Sequence, residues 1–245
     1  MVGVRTEPGV LRVVLERPVV NDVVIGDIGA ALDRAEADPG VRAVVLTGGG
    51  GGVFCEGMDF AAADAGATGG DGAGPFFDLL HRFTTTRLVV VAQVDGRVAG
   101  GGVGLVAASD FVHATPASTF SLPEALWGLL PCTVLPFLIR RVGQQAAYAA
   151  TLSTQAVDAA AAHRVRLVDE VTERPDAALR QLVFRLARLP QEVVGDAKRY
   201  FAALAPVDVG VRATAVAEFA RLMDSPAVRE RISAFVHRGR YPWER

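Results

Sequence analysis

Twice in this chain an apolar run of buried-strand type leads into a glycine-bearing turn and then into a helix. The first run is Val41–Leu46, followed by five consecutive glycines and the segment Gly52-Val53-Phe54-Cys55-Glu56-Gly57-Met58-Asp59-Phe60. The second is Leu88–Val94, followed by Asp95-Gly96-Arg97-Val98-Ala99-Gly100-Gly101-Gly102 and the apolar helix Val103–Ala108. Strands alternating with helices bury one layer against the other, so this order predicts an α/β fold.

The rest of the chain fits that frame. Val2–Thr6 and Val10–Leu15 flank the turn Glu7-Pro8-Gly9, and β-branched residues fill both runs. Ile25, Ile28, Leu32 and Ala35 recur at helical spacing over Val23–Ala37, and Asp38-Pro39-Gly40 ends the pattern. Residues 61–74 are Ala/Gly/Asp of low complexity and read as a flexible loop. Phe76–Phe83 reads as a helix, and Phe111–His113 and Thr119–Ser121 as short strands. From Pro131 the sequence is mainly helical, including Val134–Arg141, Ala156–Arg164 and Gln191–Leu204, with Leu167–Val171 as the exceptional strand. The last helix opens with Ser225 as N-cap and Pro226 at the first helical position.

Composition narrows the function. A chain of 245 residues can bury a full core, and 51% hydrophobic with 21% charged residues describes a globular protein. A net charge of −2 provides no global basic field for nucleic acid or anionic membrane. Polar residues interrupt the most apolar stretch, Leu88–Ser109, so no membrane span is expected. Cys55 and Cys132 are too few for a disulfide framework, and a reducing cytoplasm is the expected setting. His81, His113, His163 and His237 show no metal-ligand spacing, and no metal is expected.

The glycine turns carry the chemistry. A backbone N–H reaches a ligand closely only where no side chain intervenes, which glycine provides. At a helix start such N–H groups have no partner within the helix and carry partial positive charge. Two of them converging on one oxygen make an oxyanion hole. The five glycines before Val53 are not followed by Gly-Lys-Ser/Thr, so a phosphate loop is set aside.

Asp95-Gly96 with Gly100-Gly101-Gly102 resembles the central motif of the crotonase (enoyl-CoA hydratase/isomerase) family. Gly57-Met58-Asp59 looks like its Gly-Ala-Asp motif, and Arg17-Pro18 with Asn21 is similar to its N-terminal signature. Phe120-Ser121-Leu122-Pro123-Glu124 with Gly128 and Pro131 resembles its Phe-x-x-Pro-Glu…Gly…Pro segment. These matches fall in order over residues 10–145. The resemblance implies a crotonase-like spiral of ββα units over residues 1–188 and a C-terminal helical trimerisation region over 189–245. It implies that the backbone N–H groups of Met58 and Gly101 bind a thioester oxygen and that Glu124 is catalytic. A second glutamate of typical hydratases would fall at Gly104, and this chain lacks it.

Glu124 through Gly143, the Phe54-Cys55-x-Gly57 turn and the terminal Gly239-Arg240-Tyr241-Pro242-Trp243 look like the dehydrating hydratase homologues of polyketide β-branching cassettes. That resemblance implies dehydration of a 3-hydroxy-3-methylglutaryl acyl carrier protein to the 3-methylglutaconyl thioester. The acyl group would ride on carrier-protein phosphopantetheine or on coenzyme A, with no resident cofactor. The chain would assemble as a homotrimer or hexamer. An enoyl thioester isomerase, a decarboxylase of the same fold and a non-catalytic acyl-carrier or acyl-thioester binding module stay open. His81, Cys55 and Trp127 are candidate acyl-pocket residues, with packing the stronger reading for Cys55. Asp59 reads as a helix cap, and Arg140 and Arg141 as either phosphate partners or a helix or subunit surface.

Overall fold

The computed structural model describes residues 2–66 and 73–244. Strands β1 (Val2–Glu7) and β2 (Val10–Leu15) form an antiparallel hairpin with Glu7 opposite Val10. Pro8 sets the first turn position, and Gly9 takes the second at φ +75°. Helix α1 (Asp22–Ala37) starts at Asn21, whose Oδ1 accepts the Val24 N–H at 3.0 Å. It buries Val24, Ile28, Ala31, Leu32 and Ala35, one face at helical spacing.

A spiral of three strand–strand–helix turns follows. The first turn is β3 (Ala43–Gly48), β4 (Val53–Cys55) and α2 (Phe60–Asp64). After α3 (Ala73–Thr85) the second turn is β5 (Val89–Val94), β6 (Arg97–Ala99) and α4 (Gly101–Ala108). The third is β7 (Phe111–Ala114), β8 (Thr119–Ser121) and the short α5 (Glu124–Trp127). In each turn the first strand joins one sheet and the second joins another. β3, β5 and β7 lie parallel in the large sheet, and β4, β6 and β8 lie parallel in the small one.

The chain continues through α6 (Leu135–Val142), α7 (Gln144–Ser153), β9 (Val157–Asp158), α8 (Ala159–Arg164), β10 (Glu170–Val171) and α9 (Pro175–Leu186). It ends with α10 (Gln191–Leu204), α11 (Val209–Met223) and α12 (Pro226–Arg238). Side-chain alternation divides the large sheet. Val44, Leu46, Val90 and Ala92 join the main core with α1, α3 and α4, while Ala43, Val45, Val89 and Val91 meet Leu179 and Leu186 of α9. A sheet covered on both faces explains the unbroken apolar runs at β3 and β5.

Several expectations change. Residues 61–74 read as a loop, yet Phe60–Asp64 forms α2 under an Asp59 cap, and Ala73 and Gly74 open α3. Residues 67–72 of that stretch lie outside the described residues. The helix expected over Ala156–Arg164 begins only at Ala159, because Val157 and Asp158 pair with β8. The strand expected over Leu167–Val171 shrinks to Glu170–Val171. Arg141 is no free cation for a phosphate. It donates to the Leu167 and Ser109 carbonyls at 2.9 and 2.8 Å and pairs with Asp169.

The only lysine fastens the helical tail to the spiral. Lys198 Nζ donates to the Phe83 and Leu88 carbonyls and to Asp110 Oδ2, all at 2.7–2.8 Å. Burial lowers the Lys198 pKa and raises that of Asp110. Removing one member of such a pair leaves a charge and two carbonyls without their partner. Lys198→Met therefore lowers unfolding free energy by about 3 kcal/mol in urea titration; a change below about 1 kcal/mol would show that the contact is not holding the tail.

Candidate active site

The first glycine turn is pinned from both sides. Val20 N–H donates to the Gly57 carbonyl at 2.7 Å, and Asp59 N–H donates to the Val20 carbonyl at 3.1 Å. These bonds form a parallel bridge between Val20 and Met58. In such a bridge the intervening residue points its own N–H away from the partner strand, so the Met58 amide faces away from Val20. Gly57 has φ +88°, and a Cβ there would lie 3.0 Å from both the Ala99 oxygen and the Gly101 nitrogen. Only glycine lets the two turns approach this closely.

The second turn ends at Gly100, with φ +53°, whose N–H donates to the Ser121 carbonyl at 3.1 Å. Gly101 is the first residue of α4, so its N–H has no acceptor one turn earlier in the helix. A Cβ on Gly102 would lie 2.7 Å from the Cys55 oxygen, which seats α4 directly on β4.

Glu124 enters from the third turn of the spiral as the first residue of α5. Its Oε1 would lie 3.3 Å from a Cβ placed on Gly100, so the carboxyl sits beside the second glycine turn. Its Oε2 is sealed from solvent and has no hydrogen-bond partner. Burial pushes the Glu124 pKa up to about 7, against a smaller downward pull from its own backbone N–H.

Met58, Gly101, Glu124 and Trp127 line a single cavity of about 730 Å³. The far wall was not legible in the sequence. It includes Phe235, Tyr241 and Trp243, and Cys132 and Thr133 line the same cavity. Trp127 is buried, with its ring centroid 4.6 Å from that of Phe60 and 5.3 Å from that of Phe235. His237 Nε2 lies 2.8 Å from Asp64 Oδ2 and fastens α12 to α2 over this wall. Periodicity shows that α12 has an apolar face but not which distant surface that face meets.

Two candidates stand elsewhere. Cys55 is buried under Gly102 and does not line the cavity, and burial pushes its thiol up to about 12. His81 is on α3 but also does not line the cavity, whereas Phe76 on the same helix does. Five residues separate them, which rotates the side chain by roughly 140° around the helix. Asp59 is a cap: Oδ1 accepts from Ala62 N–H and Oδ2 from Asn21 Nδ2, both at 3.1 Å. Gly104, where a second glutamate would fall, is filled from outside. A Cβ there would lie 2.9 Å from Val134 Cγ2 and 3.1 Å from Leu80 Cδ1.

Residues 5–245 match the family model described as enoyl-CoA hydratase/isomerase. The bacillaene synthase dehydratase PksH of Bacillus subtilis is 32% identical over 251 residues, covering 99% of this chain and 96% of that protein. The crystal structure of pksH from Bacillus subtilis superposes with a TM-score of 0.91 at 31% identity, covering 98% of each chain. An enoyl-CoA hydratase from Mycobacterium avium superposes with a TM-score of 0.84 at 31% identity, over 98% of this chain and 97% of that one. Sequence match and spiral topology agree: this chain is a crotonase-fold enzyme of the enoyl-CoA hydratase/isomerase family.

Proposed function

We propose that the protein is a dehydratase of 3-hydroxyacyl thioesters, converting 3-hydroxy-3-methylglutaryl on an acyl carrier protein to the 3-methylglutaconyl thioester during polyketide β-branching. The observation that carries this reading is Glu124, the one cavity carboxyl among the described residues with a buried oxygen that has no hydrogen-bond partner. Glu124 meets the cavity with one oxygen unpartnered, while the position that would carry a second acid is packed with Val134 and Leu80. A relative 32% identical over nearly the whole chain is named a dehydratase of bacillaene synthase, which supports the substrate class.

The barrier to removing a thioester α-proton lies mainly in charge gathering on the carbonyl oxygen. Met58 and Gly101 N–H groups are the proposed donors for that charge, each worth about 100–1000-fold in rate. Glu124 takes the α-proton, the C–H electron pair forms the enolate carbon–carbon double bond, and the carbonyl π pair moves onto oxygen. The oxygen pair then re-forms the carbonyl, and the enolate pair becomes the Cα=Cβ bond as the Cβ–O bond breaks. The departing oxygen takes the proton from Glu124 and leaves as water. A carboxyl with a pKa near neutrality can both accept and return a proton.

The experiment is incubation of the pure protein with 3-hydroxy-3-methylglutaryl carrier protein, followed by intact-mass measurement. Loss of 18 Da is expected; migration of a double bond in a 3-enoyl thioester without that loss would instead support an isomerase. Because Glu124 must start as the anion, kcat/KM is expected to rise with pH through a single ionisation near 7 and then level off. A profile flat from pH 5.5 to 8.5 would remove Glu124 as the base.

Exposed apolar side chains on the tail, Tyr200, Phe201, Leu204 and Val209 among them, support assembly as a homotrimer or hexamer. Light scattering of the pure protein tests this. Among the described residues no single helix is long and apolar enough to cross a membrane; a pair bent by 72°, Glu192–Leu204 with Val209–Met223, reaches the required length and composition. Lys198, central in the first of these, is tied into the core. The two buried free thiols suit a reducing cytoplasm.

A further inference from the structure

Dehydration leaves one partner unassigned, the group that holds the 3-hydroxyl before it departs. Most polar side chains around the cavity are already engaged. Asn21 caps α1 through Oδ1 and gives Nδ2 to Asp59, which in turn caps α2. Glu56 and Arg97 form an ion pair with each other. Asp22, Tyr241 and Trp243 are exposed. The buried polar side chains left on the cavity wall are Cys132 and Thr133.

Cys132 is a weak donor. Its thiol is pushed up to about 11, first by burial and in part by the Glu218 and Glu124 charges. Thr133 lines the cavity, is buried, and has no hydrogen-bond partner among the described residues. Its place is fixed by a tight turn in which the Pro131 carbonyl accepts from Val134 N–H at 3.0 Å and Leu135 N–H at 2.9 Å. The next residue, Val134, plugs the space over Gly104. One turn thus fills the site of a second acid with a methyl group and brings Thr133 to the wall of the cavity that Glu124 also lines.

We propose that Thr133 is a substrate-positioning residue that hydrogen-bonds the 3-oxygen of the acyl group and aims it at Glu124. The inference rests on the dehydratase reading of the site and adds a recognition element for thioesters bearing a hydroxyl at C3. Thr133 exchanges no proton with the substrate. It donates one hydrogen bond to the 3-oxygen in the bound substrate, and that oxygen leaves carrying the Glu124 proton.

Two reactions of the intact protein separate this inference from its parent. Exchange of the α-hydrogen of butyryl-CoA in D2O needs Glu124 and the two amides but no 3-hydroxyl. Loss of water from 3-hydroxy-3-methylglutaryl carrier protein needs all of them. Thr133→Val is expected to slow dehydration about tenfold, the size of one hydrogen bond, while exchange stays within about twofold of wild type. Thr133→Ser, which keeps the hydroxyl, is expected to dehydrate within about threefold of wild type. Undiminished dehydration by Thr133→Val, or an equal loss of both reactions, overturns the role. Failure of the wild-type protein in both reactions overturns the dehydratase reading and this inference with it.

Discussion

Glu124→Gln lowers turnover of the 3-hydroxyacyl thioester by about a thousandfold and leaves the fold intact. The amide nearly matches the carboxyl in shape but can neither take the α-proton nor return it to the leaving oxygen. The variant is also expected to change the pH dependence of stability, and the sign is determined. Burial raises the Glu124 pKa from 4.5 to about 7 in the folded protein. Between those values the folded state keeps a proton that the unfolded chain has released. Stability from the protonated group is complete below about pH 4.5, declines as pH rises through the window, and is gone above about 7. Glutamine does not titrate. The melting temperature of the variant, measured against wild type, should therefore climb from pH 4.5 to 7 and then hold. A difference independent of pH would show that Glu124 titrates normally, and turnover near wild type would eliminate it as the base.

The second large effect comes from the opposite manipulation. Gly104→Glu returns a carboxyl to the position that typical hydratases of the resemblance occupy, and it is expected to give no folded protein at 37 °C. The first side-chain carbon already meets Val134 Cγ2 at 2.9 Å and Leu80 Cδ1 at 3.1 Å, and α4 is buried through almost its whole length. Overpacking of this kind costs about 1–3 kcal/mol, and a buried unpaired charge adds about 3–5 more. Val134→Gly in the same chain clears the nearest obstacle, so the double variant should recover part of the lost melting temperature. The sign of that coupling is the informative quantity in a double-mutant cycle. If the single variant folds as well as wild type, Val134 is not what excludes a second acid.

Much of this was readable from residue order. The apolar runs at β3 and β5 are continuous because the sheet is covered on both faces, and no helical spacing competes with them. Asp59 and Ser225 stand at helix starts as expected, Asp59 with its side chain accepting from Ala62 N–H and Ser225 by position alone, whereas the cap at Asn21 was not anticipated. Strands β4 and β6 escaped because each has three residues inside a glycine-rich segment, too few for an alternation to register. The tail's contribution to the cavity escaped for a different reason. Trp127 meets Phe235 across more than a hundred residues of chain, and no local pattern encodes which faces of distant helices touch. Thr133 carried no signal beyond lying two residues after Pro131. Its interest arises only when the turn is seen against Gly104.

Strands β4 and β6 are neighbours in the small sheet, and Met58 and Gly101 follow just beyond their ends. Rungs in any sheet are separated by roughly 4.8 Å, whatever side chains they bear. The approach of the two turns is therefore set by main chain, at Gly57 against Ala99 and Gly101, and a methionine can stand at position 58 without altering it. Drift in acyl preference can then proceed through the walls, Trp127, Thr133 and the closing aromatics, while the main chain of the two turns stays constant.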